Sequence, residues 1–191
     1  MRSHLLPALL IAMGIASSTE GAEKYEIDKN HADLMFSIEH AGFSRKHGWF
    51  RDFEGVLHFD VANPQNSKVD VTVRTVSLDT GLSTRDQDLR SEKFLDTVKY
   101  PEMRFESTKV VPVENQELLV EGNLTLHGVT KPITLNAKLN KAGPNPFDKT
   151  ATLGFSATGK LKRSDFGITT FLPMVGDDVV ITLDLEFRRA Q

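Results

Sequence analysis

From Leu34 onward the chain alternates apolar and polar residues with a period of two, the spacing of a strand that has one face in apolar surroundings and one in water. Leu34/Phe36/Ile38 are apolar against Ser37 and Glu39, and Trp49/Phe53/Leu57/Phe59 share one parity against Asp52/Glu54/His58/Asp60. Val69/Val71/Val73, Met103/Phe105 and Leu118/Val120/Leu124/Leu126 repeat the pattern, as do Ile133/Leu135/Ala137/Leu139, Leu153/Phe155/Ala157/Leu161 and Val179/Ile181/Leu183/Leu185/Phe187. The pattern predicts eight strands. Asn63-Pro64, the Gly143–Pro146 cluster and Gly176-Asp177 supply turn chemistry between them, and His127-Gly128 separates two runs closely enough for an antiparallel hairpin. The one helix expected runs from Thr84 to about Leu95, with Ser83 or Thr84 as N-cap, Asp86 or Gln87 as its capping partner, and Asp86 and Arg90 spaced i,i+4.

Eight one-sided strands must bury their apolar face. An all-β, eight-stranded antiparallel barrel of lipocalin-like shape, with the short helix packed beside it, does so and leaves no sheet edge; a two-sheet sandwich is the alternative. A barrel of this size is either filled by its side chains or holds one ligand. Gly55, Ser107, Gly122, Ala137, Ala157 and Gly159 share the inward parity and are expected to leave volume unfilled. That volume is either an apolar pocket or space removed by walls that touch. Six of the 12 phenylalanines (Phe36, Phe53, Phe59, Phe105, Phe155 and Phe187) fall on the same parity.

The first residues do not share this pattern. Arg2, the apolar run Leu5 to Ala16 and the small residues after it have the layout of a secretory signal peptide, and the run is short for a membrane span. The expected organisation is therefore a leader over residues 1–22, cleaved somewhere between 16 and 22, and one barrel domain over 23–191. Composition narrows the function. No cysteine occurs, which removes disulfides, thiol catalysis and cysteine metal sites, and an exported chain without cysteine fits a bacterial periplasm. A net charge of −3 lacks the basic footprint of a nucleic-acid binder.

Several segments are similar to the YceI-like family of periplasmic lipid- and polyisoprenoid-binding proteins. They are Tyr25–Asp28, Phe36–Ser44 (FSIEHAGFS), Ser77–Thr80 with Arg85-Asp86 and Leu89-Arg90-Ser91, Phe105–Thr108, Gly122–Pro132 and Asp165–Ile168. The family commonly has His just before Leu-Arg-Ser; here Asp88 stands there, so no role of that His carries over. The resemblance implies an extended barrel with a helix beside it and a long apolar tunnel for an isoprenoid or fatty-acyl chain.

On inward parity near strand centres, the residues expected to line that tunnel are Phe36, Phe53, Val71, Val73, Phe105, Leu124, Leu135, Phe155, Ala157, Ile181 and Leu183. Arg51 shares the apolar parity of Trp49 and Phe53 and is expected at the mouth, contacting a quinone or carboxylate head. Arg85 and Arg90, with Asp86 and Asp88, form either a polar lid over the head group or a cap and ion pair joining helix to barrel. Neither a catalytic nor a metal site is expected. His31, His40, His47, His58 and His127 show no metal-ligand spacing, and no nucleophile elbow or phosphate loop occurs. His58 is expected in solvent and His127 as a turn hydrogen-bonder; His40 and His47 flank one loop and would have to meet at a barrel end to act together. The reading that results is a secreted, non-enzymatic carrier of an isoprenoid, quinone-like or fatty-acyl amphiphile that needs no cofactor. The alternatives are a barrel-mouth hydrolase or isomerase, and a filled barrel serving a protein partner. Transient membrane contact and dimerisation both remain open at this point.

Overall fold

A computed structural model describes residues 21–190, so the expected leader lies outside the described residues except for residues 21 and 22. The strands are β1 (Glu23–His40), β2 (Ser44–Phe50), β3 (Phe53–Phe59), β4 (Lys68–Arg74), the two-residue β5 (Leu78–Asp79), β6 (Glu102–Pro112), β7 (Glu117–Leu126), β8 (Val129–Pro144), β9 (Ala151–Lys162) and β10 (Val175–Arg189). One helix, α1 (Ser83–Arg90), lies between β5 and β6.

Around the wall the order is β10-β9-β8-β7-β6-β4-β3-β1, and β1 pairs back onto β10. Every pairing is antiparallel, so the eight staves close into a barrel without a free edge among them. β2 continues β3 along the upper half of β1, and β5 adds to its outer edge. Beyond Arg74 β4 stops; β5, α1 and residues 91–101 follow it in the chain, and Leu89 and Leu95 pack onto Phe50, Phe53, Val73 and Leu78.

Two irregularities face each other across β1 and β2–β3. Asp28–His31 form a bulge in β1, where Ile27 opposes Phe187 but Ala32 already opposes Leu185. Arg51-Asp52 interrupt the neighbouring strand, with the Arg51 N–H donating to Ser77 O and the Arg74 N–H to Asp52 O. The two-residue break switches the inward parity from even to odd. Phe50 and Phe53 are both buried, whereas Trp49 lies on the outer face with the Arg51 guanidinium 4.9 Å above its ring. The expected single parity through Trp49 and Phe53 is corrected accordingly.

The turns follow local chemistry. His127 (φ 52°) and Gly128 (φ 73°) both adopt the left-handed conformation that a two-residue type I′ hairpin requires, and Leu126 opposes Val129 across it. The helix is shorter than expected. It ends at Arg90, where the Ser91 N–H closes onto Asp88 O, and the chain continues in turns. No side chain caps its N-terminus, where Leu82 occupies the N-cap. Asp86 accepts instead from the N–H (2.9 Å) and hydroxyl of Thr80, so the i,i+4 pair with Arg90 does not form.

Candidate functional site

The barrel encloses a cavity of about 510 Å³, within the range of roughly 300–1,000 Å³ typical of small-molecule pockets. One end is closed. There Phe59, Leu118, Leu153 and Phe187 are buried, and Phe155 meets Phe59 edge-on at 5.5 Å and Phe187 at 6.0 Å. At the other end Leu34, Phe36, Ile38, Val175, Val179 and Ile181 are only half-buried and Phe171 is 58% exposed. The apolar wall therefore runs from a plugged base to an open mouth. The mouth is framed by the β1–β2 hairpin, α1, residues 91–101 and the segment between β9 and β10.

All eleven residues selected by parity lie in this wall: Phe36, Phe53, Val71, Val73, Phe105, Leu124, Leu135, Phe155, Ala157, Ile181 and Leu183. Parity missed Phe50, because of the break at Arg51-Asp52, and it missed Leu89, Phe94 and Leu95, which reach the cavity from outside the strands. The spacing of Phe50 and Phe53, three apart within an otherwise alternating run, is the one trace of the break in the sequence.

The small inward residues create less space than expected. A Cβ at Gly122 would stand 2.4 Å from the Phe105 ring and 2.6 Å from Glu106 O; at Gly159, 2.5 Å from Leu135; at Gly55, 2.7 Å from Ile27. These glycines are seats for neighbouring large side chains. Gly48 serves Phe36 in the same way, at 2.4 Å. Ser107 is likewise occupied, its Oγ accepting the Val69 N–H at 2.9 Å. Only Ala137 and Ala157 of the six line the cavity itself.

Of the three arginines expected at the mouth, Arg85 lines the cavity and the other two do not. Arg51 is on the outer surface, its Nε 3.2 Å from Asp79 Oδ2 and its guanidinium over Trp49; the parity break is what turns it outward. Arg90 donates from Nη2 to Leu78 O and thus ties α1 to the wall. Its Nε is buried without a partner among the described residues. Arg85 donates Nε to Thr80 Oγ1 and Nη2 to Thr80 O, both at 2.8 Å.

The mouth rim is held by a guanidinium that sequence reading passed over. Arg163 is buried and donates to Gly176 O (2.8 Å), Ile168 O (3.0 Å) and Val175 O (2.9 Å), so each of its three nitrogens meets a carbonyl. Burial lowers its pKa, and the charge persists because guanidinium does not deprotonate in proteins. Beside it Asp177 accepts the Ser164 N–H (2.9 Å) and hydroxyl (2.8 Å). Burial opposes its ionisation, but those donations with Lys162 and Arg163 nearby outweigh it and hold the carboxyl below its ordinary value.

His40 and His47 do not form a pair. In the β1–β2 ladder His40 opposes Ser44 on the inward face and His47 opposes Ser37 on the outer one. His127 accepts a turn role, with Nδ1 3.1 Å from Phe166 O and its ring edge-on to Tyr100 at 4.6 Å. Asp28, His31 and Glu186 bring three ligand-type atoms together on the outer surface. His31 Nδ1 is already 3.0 Å from Asp28 Oδ2, and Arg188 Nη1 stands 3.7 Å from the same oxygen, so this cluster carries its own counter-charge.

The plugged, apolar barrel with α1 beside its mouth has counterparts among known proteins. The YceI-like domain family matches residues 25–187, nearly the whole described chain. The chain belongs to the YceI-like family. Protein YceI of Salmonella arizonae is 43% identical over 188 residues, covering 97% of each chain. Among solved structures, Burkholderia cenocepacia BcnA superposes with a TM-score of 0.77 at 22% identity, covering 84% of this chain and 98% of its own. A polyisoprenoid binding domain from Saccharophagus degradans superposes with a TM-score of 0.63 at 16% identity, covering 87% and 98%. At those identities the two structures speak for the barrel fold.

Proposed function

We propose that this YceI-like barrel is an exported, non-enzymatic carrier or sequestering protein. Its cargo is an isoprenoid, of the isoprenoid-quinone kind, or a fatty-acyl amphiphile, held with its tail in the cavity. The observation that carries this reading is the cavity of about 510 Å³, plugged by phenylalanines at the base and open at the mouth. An apolar tail gains roughly 25 cal/mol for each Å² removed from water, so such a chain needs few polar anchors. The family membership and the binding named for the Saccharophagus degradans domain support the same class of cargo. The layout of residues 1–22 supports export to a periplasm and removal of a leader.

Organic extraction of the purified protein, followed by mass spectrometry, is the direct test. Recovery of a prenyl or fatty-acyl amphiphile in near-stoichiometric amount is the expected result. Recovery of no lipid, together with no binding of a fluorescent polyene, overturns the reading. N-terminal sequencing of the protein secreted by an expressing bacterium checks export, with a new terminus between residues 17 and 23 expected.

A further inference from the structure

We propose that the mouth is built for an amphiphile whose head is an anion, a carboxylate or a phosphate, held between Lys46 and Arg85. This rests on the carrier reading and adds the chemical class of its head group.

Lys46 lies on the inward face of β2, opposite Ile38, half-buried in the cavity wall near the mouth. Among the described residues it makes no ion pair. Arg85 enters the same wall from α1. Thr80 fixes its Nε and Nη2, while Nη1 has no protein partner and no carboxylate pairs with it among the described residues. The nearest acid in sequence, Asp86, is buried behind Thr80, accepting from its N–H and hydroxyl.

Thr80 also places the two cations on one side of the mouth. Its Cγ2 lies 3.0 Å from where a Cβ of Gly48 would stand, and Gly48 shares the inward face of β2 with Lys46, about 7 Å along the strand. Of the other cations in the wall, Arg163 donates from all three of its nitrogens to backbone carbonyls, Arg104 is paired with Asp70 and Glu106 on the outer surface, and Lys68 stands opposite His58 at the base, away from the mouth. Among the described residues Asp88, exposed to solvent, is the one carboxylate in the lining. Two uncompensated cations therefore meet the apolar wall where a tail-down amphiphile presents its head. A half-buried lysine beside a neutral head lacks a partner, whereas an anionic head supplies charge-assisted hydrogen bonds at the edge of a low-dielectric cavity.

The test compares matched pairs that differ only in head charge: palmitate with hexadecanol, and farnesyl phosphate with farnesol. Affinities are measured by displacement of a fluorescent polyene from the delipidated protein. The wild type is expected to bind at least one anion roughly 10- to 100-fold more tightly than its neutral partner, the scale of hydrogen bonds to charged groups. The pair that shows the preference tells carboxylate from phosphate. Lys46→Met and Arg85→Gln should each shrink that ratio toward one by weakening the anion more than the alcohol, and Arg85→Lys should restore part of it. Equal affinity for anion and alcohol in both pairs, or a preference that survives both neutralising substitutions, overturns the head-group inference alone. Failure of all four ligands to bind overturns the carrier reading beneath it.

Discussion

The two ends of this barrel are made from the same residue types and behave oppositely. At the base Phe59, Phe155 and Phe187 interlock edge to face, Leu153 and Leu118 close around them, and Phe187 keeps 2% of its surface. At the mouth Leu34, Phe36, Ile38 and Ile181 point into the same interior yet stay half-exposed, because nothing fills the space in front of them. The difference lies in partners rather than in hydrophobicity. An apolar side chain stabilises the fold when the opposite wall touches it, and at the mouth that contact is left for a ligand. Packing at one end thus supports a deliberately under-packed other end, the usual division between stability and function.

The largest contrast is between truncations. Phe187→Ala should cost about 3–5 kcal/mol, the usual loss for a buried aromatic, whereas Ile181→Ala at the mouth should cost less than half of that. Urea titrations of both variants measure this, and equal losses would remove the distinction between the ends. Filling the middle should separate binding from folding. Ala157→Phe projects a ring into the cavity beside Ala137 and Leu183, so lipid retention is expected to vanish while stability changes by under about 3 kcal/mol. Retained lipid at wild-type stoichiometry would argue against this cavity as the binding site.

Smaller effects test the seats in the wall. Gly122→Ala should cost about 1–3 kcal/mol, since Glu106 O cannot yield as a side chain can. Gly154→Ala, with nothing within 4 Å, should be neutral or stabilising by up to about 1 kcal/mol in the same urea titration. Acid should loosen both ends. Asp60 at the base is held below its ordinary value of 3.8 by the Asn63 N–H and further donors, and Asp177 at the rim is held below it against its burial by Ser164, Lys162 and Arg163. A depressed carboxyl contributes stability that is present above 3.8 and lost as pH falls through the folded value, so thermal midpoints should drop below about pH 4. Asp60→Asn and Asp177→Asn should each flatten that acid limb. Least of all, Phe43→Ser at the hairpin tip, 91% exposed, should shift stability by no more than about 0.5 kcal/mol by calorimetry.

Period-two alternation carried most of the fold, because each stave has one dry face and a closed barrel imposes that on every strand. It failed where the backbone departs from a regular strand. The break at Arg51-Asp52 turned Trp49 and Arg51 outward and brought Phe50 in, and no propensity marks it. Inward glycines suggest space from sequence but are seats, since a single-residue view does not reveal which neighbour's side chain lies over a missing Cβ. Arg163 was invisible because its partners are backbone carbonyls, which leave no signature in residue types. Lys46 sits on a face opposite in parity to that assigned to its strand, so its inward position emerges only from the register with β1. The apolar Phe94 and Leu95 continue a helical spacing in the sequence, whereas the chain turns at Ser91 and lays them over the cavity.

The phenylalanine plug has a consequence for traffic. A sleeve sealed at one end admits cargo and returns it through the same opening, so a molecule that goes in tail-first comes out head-first. Any acceptor then meets the polar end before the greasy one, and a tail longer than the sleeve leaves its surplus outside, within reach of whatever surface receives it.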